Sequence, residues 1–142
     1  MINCGFDAAG ETLKFILPNI EGSDITVAPK DEDWESKGIL NTFNQREFVD
    51  LWNWNYSGLA DFGYVFFPKQ CIKDEAKCKV HVFLHGATTQ YEFAGRSVVD
   101  NAGFNEYAVT NDLIVLYPQT DVNFLFNPMA KWNPEETDTR YG

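Results

Sequence analysis

The sequence has no apolar run long enough to cross a bilayer. Its longest, around Leu113 to Tyr117, is only a few residues, where a spanning helix needs about 18 or more. Basic residues are scarce, with 11 Lys and Arg against 21 Asp and Glu for a formal charge of −10. Such a chain repels phosphate backbones and anionic lipid surfaces, so neither nucleic acid nor a membrane is expected as partner. The residues after Met1 carry no basic n-region and no apolar h-region. No secretory signal is read there, and the expectation is either a cytosolic protein or a missing N-terminal part.

Nucleophilic machinery is missing as well. Hydrolysis on an α/β sheet uses a Ser on a tight strand-to-helix turn, written G-x-S-x-G because only small neighbours permit that geometry. None of Ser23, Ser36, Ser57 and Ser97 satisfies it; Ser97, in Gly95-Arg96-Ser97-Val98-Val99, has Val where the second Gly belongs. His81 and His85 fall on one face of a strand, about 13 Å apart at ~3.3 Å per residue, too far to ligate one metal together. The acidic stretch Pro29 to Asp33 lacks the spaced Asp/Asn and central Gly of a calcium loop. No metal and no cofactor is expected, and no Ser-His-Asp triad can be assembled.

What is present is a folding domain. Hydrophobic residues at 44% and aromatics at 15% exclude disorder, and 142 residues suit a single domain. Asp7 is a helix cap, followed by Leu13, Ile16 and Leu17 at helical spacing, which predicts a helix over about 7–17 stopped by Pro18. Strands are predicted at Ile39 to Phe43, Gly63 to Phe67, Lys79 to His85 and Leu113 to Tyr117, with a helix from about Asp100 to Asn111. The last two strands read as apolar on both faces. Strand, helix, strand over about 40 residues predicts a right-handed crossover and a mainly parallel sheet flanked by helices, an α/β fold.

Three places invite function. His85 and Gly86 stand at the end of a strand, where α/β sheets build their sites and where a glycine turn leaves amide N–H groups available to an anion. Cys71 and Cys78 either form a disulfide across a short loop or remain two buried free thiols, and Cys4 either has its partner outside the chain or stays a free thiol. Trp52, Trp54, Tyr56 and Trp132 are either core and interface residues or aromatic contacts for a ligand.

The runs Cys78 to Gly86, Asn101 to Ala108 and Asn111 to Gln119 resemble the poly(3-hydroxybutyrate) depolymerase family of serine esterases. Asn3-Cys4-Gly5-Phe6-Asp7-Ala8-Ala9-Gly10 and the Gly63 to Pro68 strand with Cys71 resemble it in the same order. The resemblance implies a circularly permuted α/β hydrolase in which nucleophile, acid and base precede Asn3. It implies that 1–142 is the C-terminal part of one catalytic domain, and that the backbone N–H of Ala87 supplies one oxyanion-hole donor. The family often has Cys at the position of Ala87, and it places a partner for Cys4 upstream of Met1; Cys71 and Cys78 are then the internal pair.

The expected function is therefore a portion of a polyester-degrading carboxylic ester hydrolase. Its full-length parent would be secreted and act on polyester or short esters, and the chain alone would be inactive. The alternative is a non-catalytic polyester- or carbohydrate-binding module that uses Trp52, Trp54 and Trp132.

Overall fold

The computed structural model describes residues 5–19, 27–49, 57–73, 77–125 and 127–132. Helix α1, Ala8–Ile16, begins where the sequence places it: the Asp7 carboxylate accepts the Gly10 N–H at 3.0 Å and caps the first turn. The same carboxylate accepts a 2.6 Å bond from the Tyr107 hydroxyl, a hundred residues along the chain. Those two bonds, the tyrosine's first, hold Asp7 below the ordinary carboxylate range, and the carboxylate in turn pushes the Tyr107 phenol up to about 12. Gly10 makes this possible, because a Cβ there would collide with the Tyr107 hydroxyl.

Helix α2, Trp34–Lys37, leads into β1, Gly38–Asn44; β2 is Phe62–Pro68, β3 Lys79–Val82 and β4 Leu113–Tyr117. Between β3 and β4 lie α3, Tyr91–Ala94, α4, Ser97–Asn101, and α5, Phe104–Asn111. The sheet order is β1-β2-β4-β3. The expected crossover is there, since β3 and β4 pair in parallel with His81 beside Val115. A mainly parallel sheet is not: β1 pairs antiparallel with β2, and β2 antiparallel with β4. The physical reason is connectivity. The β3-to-β4 connection includes a helical layer that carries the chain back to the same end, whereas β2 runs opposite to both of its neighbours, a direction the apolar runs do not encode.

Two further expectations change in detail. The helix expected over 100–111 is broken by Gly103 at φ +89°, which turns the chain between α4 and α5. Strand β3 is shorter than its apolar run and lies at the sheet edge. Its inward face carries His81, Phe83 and His85, whereas Val80 and Val82 are 62% and 49% exposed and Leu84 beyond them 55%. A strand covered on both faces and one with an uncovered apolar face have the same sequence pattern, so the run alone could not distinguish them.

The core forms between the sheet and α1 and α5, around Leu13, Phe66, Ala108, Leu113, Val115 and Tyr117. Trp34 closes it with an edge-on contact to Phe66 at 5.4 Å. Asn105 ties the helical layer to the strand: its side-chain amide donates to Val99 O at 3.0 Å and its oxygen accepts the Tyr117 hydroxyl at 2.7 Å. Cys71 and Cys78 are disulfide-bonded, with Cα atoms 5.8 Å apart, and close the loop between β2 and β3. Among the described residues no helix is long and apolar enough to cross a membrane. Replacing Asp7 removes a helix cap and a cross-chain hydrogen bond together, so Asp7→Ala lowers the unfolding free energy by about 1–2 kcal/mol. Urea denaturation checks this, and an unchanged midpoint would contradict the pairing of α1 with α5.

Candidate functional site

At one end of the sheet the chain leaves β3 and β4 and buries a group of polar side chains that no periodicity announces. His85 is 3% exposed, with Gln45, Gln119, Thr120 and Asn127 equally enclosed. Buried polar groups of this kind persist only when their hydrogen bonds are made, and here they are. The Gln45 amide donates to Gln119 O at 2.9 Å and accepts the Gln119 N–H at 3.0 Å. The Gln119 side-chain oxygen accepts the Tyr91 N–H at 2.9 Å, which fixes the start of α3. Thr120 Oγ1 donates to Ala130 O at 2.7 Å, and Asn127 holds Lys131 from both sides, accepting its N–H at 2.7 Å and donating to its carbonyl at 2.9 Å.

His85 is the centre of this arrangement. Its Nε2 faces the Thr120 backbone N–H at 3.2 Å. A backbone amide can only donate, so Nε2 is an acceptor and the proton resides on Nδ1, which donates to Gly86 O at 2.8 Å. Burial lowers the His85 pKa, with the Gly86 bond opposing it. The imidazole is thus a neutral strut. Its basic lone pair is already occupied, so it is not a free general base. Trp132 completes the support: its indole N–H donates to His85 O at 2.7 Å and its ring packs on the imidazole with centroids 4.9 Å apart.

Beyond His85 the chain turns over 86–89. Thr89 donates to Gly86 O both through its N–H at 3.2 Å and through its hydroxyl at 2.7 Å. The Thr88 N–H donates to Met129 O at 2.8 Å. Ala87 is exposed, and its N–H has no acceptor among the described residues.

Of the residues singled out in the sequence, His85, Gly86, Ala87 and Trp132 come together here. Cys71 and Cys78 lie at the opposite end of β3; together with Asp112 they bring ligand-type atoms within 4.8 Å of one another, but the two sulfurs are bonded to each other and Asp112 accepts from Gln70 at 3.2 Å. Trp52, Trp54, Tyr56 and Cys4 lie outside the described residues. Thr89, Gln119 and Thr120 were missed; their only signal is a set of polar residues directly following apolar strands. An apolar cavity on the other face of the sheet is lined by Phe43, Phe48, Leu59, Phe67 and Leu116, and its one polar side chain, Gln45, has both amide atoms committed. It offers no chemistry.

Comparison with known proteins is consistent with these features. No family model matches the chain. A polyhydroxybutyrate depolymerase of Talaromyces funiculosus is 29% identical over 131 residues, covering 92% of this chain and 34% of that protein. A poly(3-hydroxybutyrate) depolymerase of Delftia acidovorans is 32% identical over 119 residues, covering 83% of this chain and 22% of that one. The solved PHB depolymerase of Penicillium funiculosum superposes with a TM-score of 0.71 at 28% identity over 93% of this chain. In sequence and fold the chain is poly(3-hydroxybutyrate)-depolymerase-like. This depolymerase-like chain spans about a third of the Talaromyces relative, 34%, and 41% of the solved structure.

The His85 strut carries a pH dependence. A histidine whose folded pKa lies below its ordinary 6.5 binds a proton more readily once unfolded, so its stabilising contribution is complete above pH 6.5 and is lost as pH falls through the lowered value. His81, stacked on Phe104 at 4.5 Å and likewise lowered by burial, has the same sign. Glu106, raised mainly by burial, has the opposite one: its contribution is complete below 4.5 and is lost as pH rises through the raised value. The melting temperature is expected to fall as pH drops from 7 towards 5, less steeply in His85→Asn. Melting curves across that window check it, and an identical slope in the variant would refute the neutral strut.

Proposed function

We propose that this chain is the C-terminal portion of a depolymerase-like carboxylic ester hydrolase and that it supplies an oxyanion-hole donor, the backbone N–H of Ala87. One observation carries the reading: on a turn just beyond a strand, held by hydrogen bonds at Gly86 O and at the Thr88 N–H, the exposed Ala87 N–H has no acceptor among the described residues. In the parent, a serine activated by histidine and aspartate attacks an ester carbonyl. Negative charge then gathers on the carbonyl oxygen, where a preorganised N–H stabilises it; one such donor is worth about a hundred- to a thousand-fold in rate. Ala87 provides the donor, and His85, Gly86 and Trp132 hold it. The substrate class is a hydroxyalkanoate polyester or a short ester, by likeness to the relatives named above. The internal disulfide suits an oxidising compartment, which favours a secreted parent.

The nucleophile and its base are not among these residues. Ser97 is the exposed first residue of α4, away from any strand-to-helix turn, and the accepting nitrogen of His85 is occupied by Thr120. The isolated chain should therefore be inactive. The rival binding-module reading gains nothing from Trp132, whose N–H is committed to His85 O. Purified chain incubated with p-nitrophenyl butyrate and with hydroxybutyrate oligomers is expected to release product at the buffer rate. Turnover abolished by a serine-directed phosphonate would show that the chain carries its own nucleophile and would overturn the assignment.

A further inference from the structure

A peptide unit is planar, and no cis bond occurs among the described residues, so the C=O and N–H of the unit joining Gly86 to Ala87 point in opposite directions. Whatever grips the Gly86 carbonyl therefore aims the Ala87 N–H. Three donors grip it: His85 Nδ1 at 2.8 Å, Thr89 Oγ1 at 2.7 Å and Thr89 N at 3.2 Å. Two of the three come from Thr89, one from its side chain and one from its backbone.

The backbone bond is the ordinary closure of a β-turn and the longest of the three; turns of this kind often dispense with it. The turn is also strained. Thr88, its third residue, sits at φ +59°, where glycine or asparagine is usual and a β-branched side chain is unfavourable. Relief of that strain would rotate the 87–88 peptide plane, which carries the Ala87 C=O and the Thr88 N–H and not the Ala87 N–H. The Thr88 N–H is tied to Met129 O at 2.8 Å, but that bond acts one peptide further on and leaves the 86–87 plane to its carbonyl partners. The His85 bond holds the carbonyl from the strand side, and the Thr89 hydroxyl holds it from the turn side.

We infer that Thr89 is a positioning residue, whose hydroxyl clamps the Gly86 carbonyl and so aims the Ala87 N–H at the developing oxyanion. This rests on the oxyanion reading of Ala87 proposed above, and it adds a residue and a mechanism: the donor is oriented through the opposite end of its own peptide unit. Thr89 does not touch the reacting atoms.

The test uses the 15N-labelled 142-residue chain, weakly aligned, with one-bond N–H residual dipolar couplings measured for the parent, Thr89→Val and Thr89→Ser. Valine keeps the shape and removes the hydroxyl; serine keeps the hydroxyl and removes the methyl. In Thr89→Val the Ala87 coupling is expected to leave its parent value while those of Val115 and Leu116 in β4 hold, and Thr89→Ser is expected to restore it. An Ala87 coupling unchanged in Thr89→Val, or couplings in β4 that move with it, would overturn the inference. Titration of the parent chain with phenylphosphonate, followed at the Ala87 amide, separates the two claims. Absence of a shift there, with the expected coupling pattern intact, rejects the oxyanion role and leaves the clamp standing.

Discussion

The arrangement of the chain beyond β3 and β4 depends on a single imidazole held in one tautomer. His85 lies between two backbone groups of opposite character: the Thr120 N–H, which can only donate, and the Gly86 carbonyl, which can only accept. Only the neutral ring protonated at Nδ1 satisfies both. That ring joins the residues following β4 to the turn following β3, and the Trp132 indole holds its carbonyl from the far side. Protonation would turn Nε2 from an acceptor into a donor facing a donor, so burial and the Thr120 N–H favour the neutral ring while the Gly86 carbonyl opposes them.

The buried polar groups around it serve the same end. Gln45 couples β1 to the segment after β4, Gln119 fixes the entry to α3, and Asn127 ties Lys131 to the Asp121 carbonyl in the loop after β4. Each lies where a strand has ended and the ladder no longer satisfies the backbone. A satisfied network of this kind is rigid, and rigidity is what an oxyanion donor needs, since its benefit comes from being in place before charge develops.

Much of this was legible in the sequence, and the parts that were not share a cause. The Asp7 cap, the first helix and the β3-to-β4 crossover follow from local signals: a capping side chain, helical spacing and two apolar runs separated by helix. His85 and Gly86 stood out because a polar pair interrupts the end of an apolar strand. The antiparallel pairing of β2 could not be read, because strand direction depends on connections and not on composition. Thr89, Gln119 and Thr120 were invisible for a similar reason: their partners are groups brought close by the fold, Gly86 O for Thr89, the Tyr91 N–H and the Gln45 side chain for Gln119, and His85 Nε2 for Thr120. The exposed Val80, Val82 and Leu84 mark the other limit of sequence pattern, since an apolar alternation indicates what a face can bury but not what lies against it.

The central claim is that His85 is a neutral strut holding the turn whose Ala87 amide has no acceptor among the described residues. Its most direct test is the protonation state of the His85 ring, read from the 15N shifts of the two imidazole nitrogens at neutral pH. The account predicts a protonated, pyrrole-type Nδ1 and an unprotonated, pyridine-type Nε2, unchanged until the pH falls well below 6.5, the ordinary value from which burial lowers it. A ring protonated on Nε2, or already doubly protonated at pH 7, would contradict it.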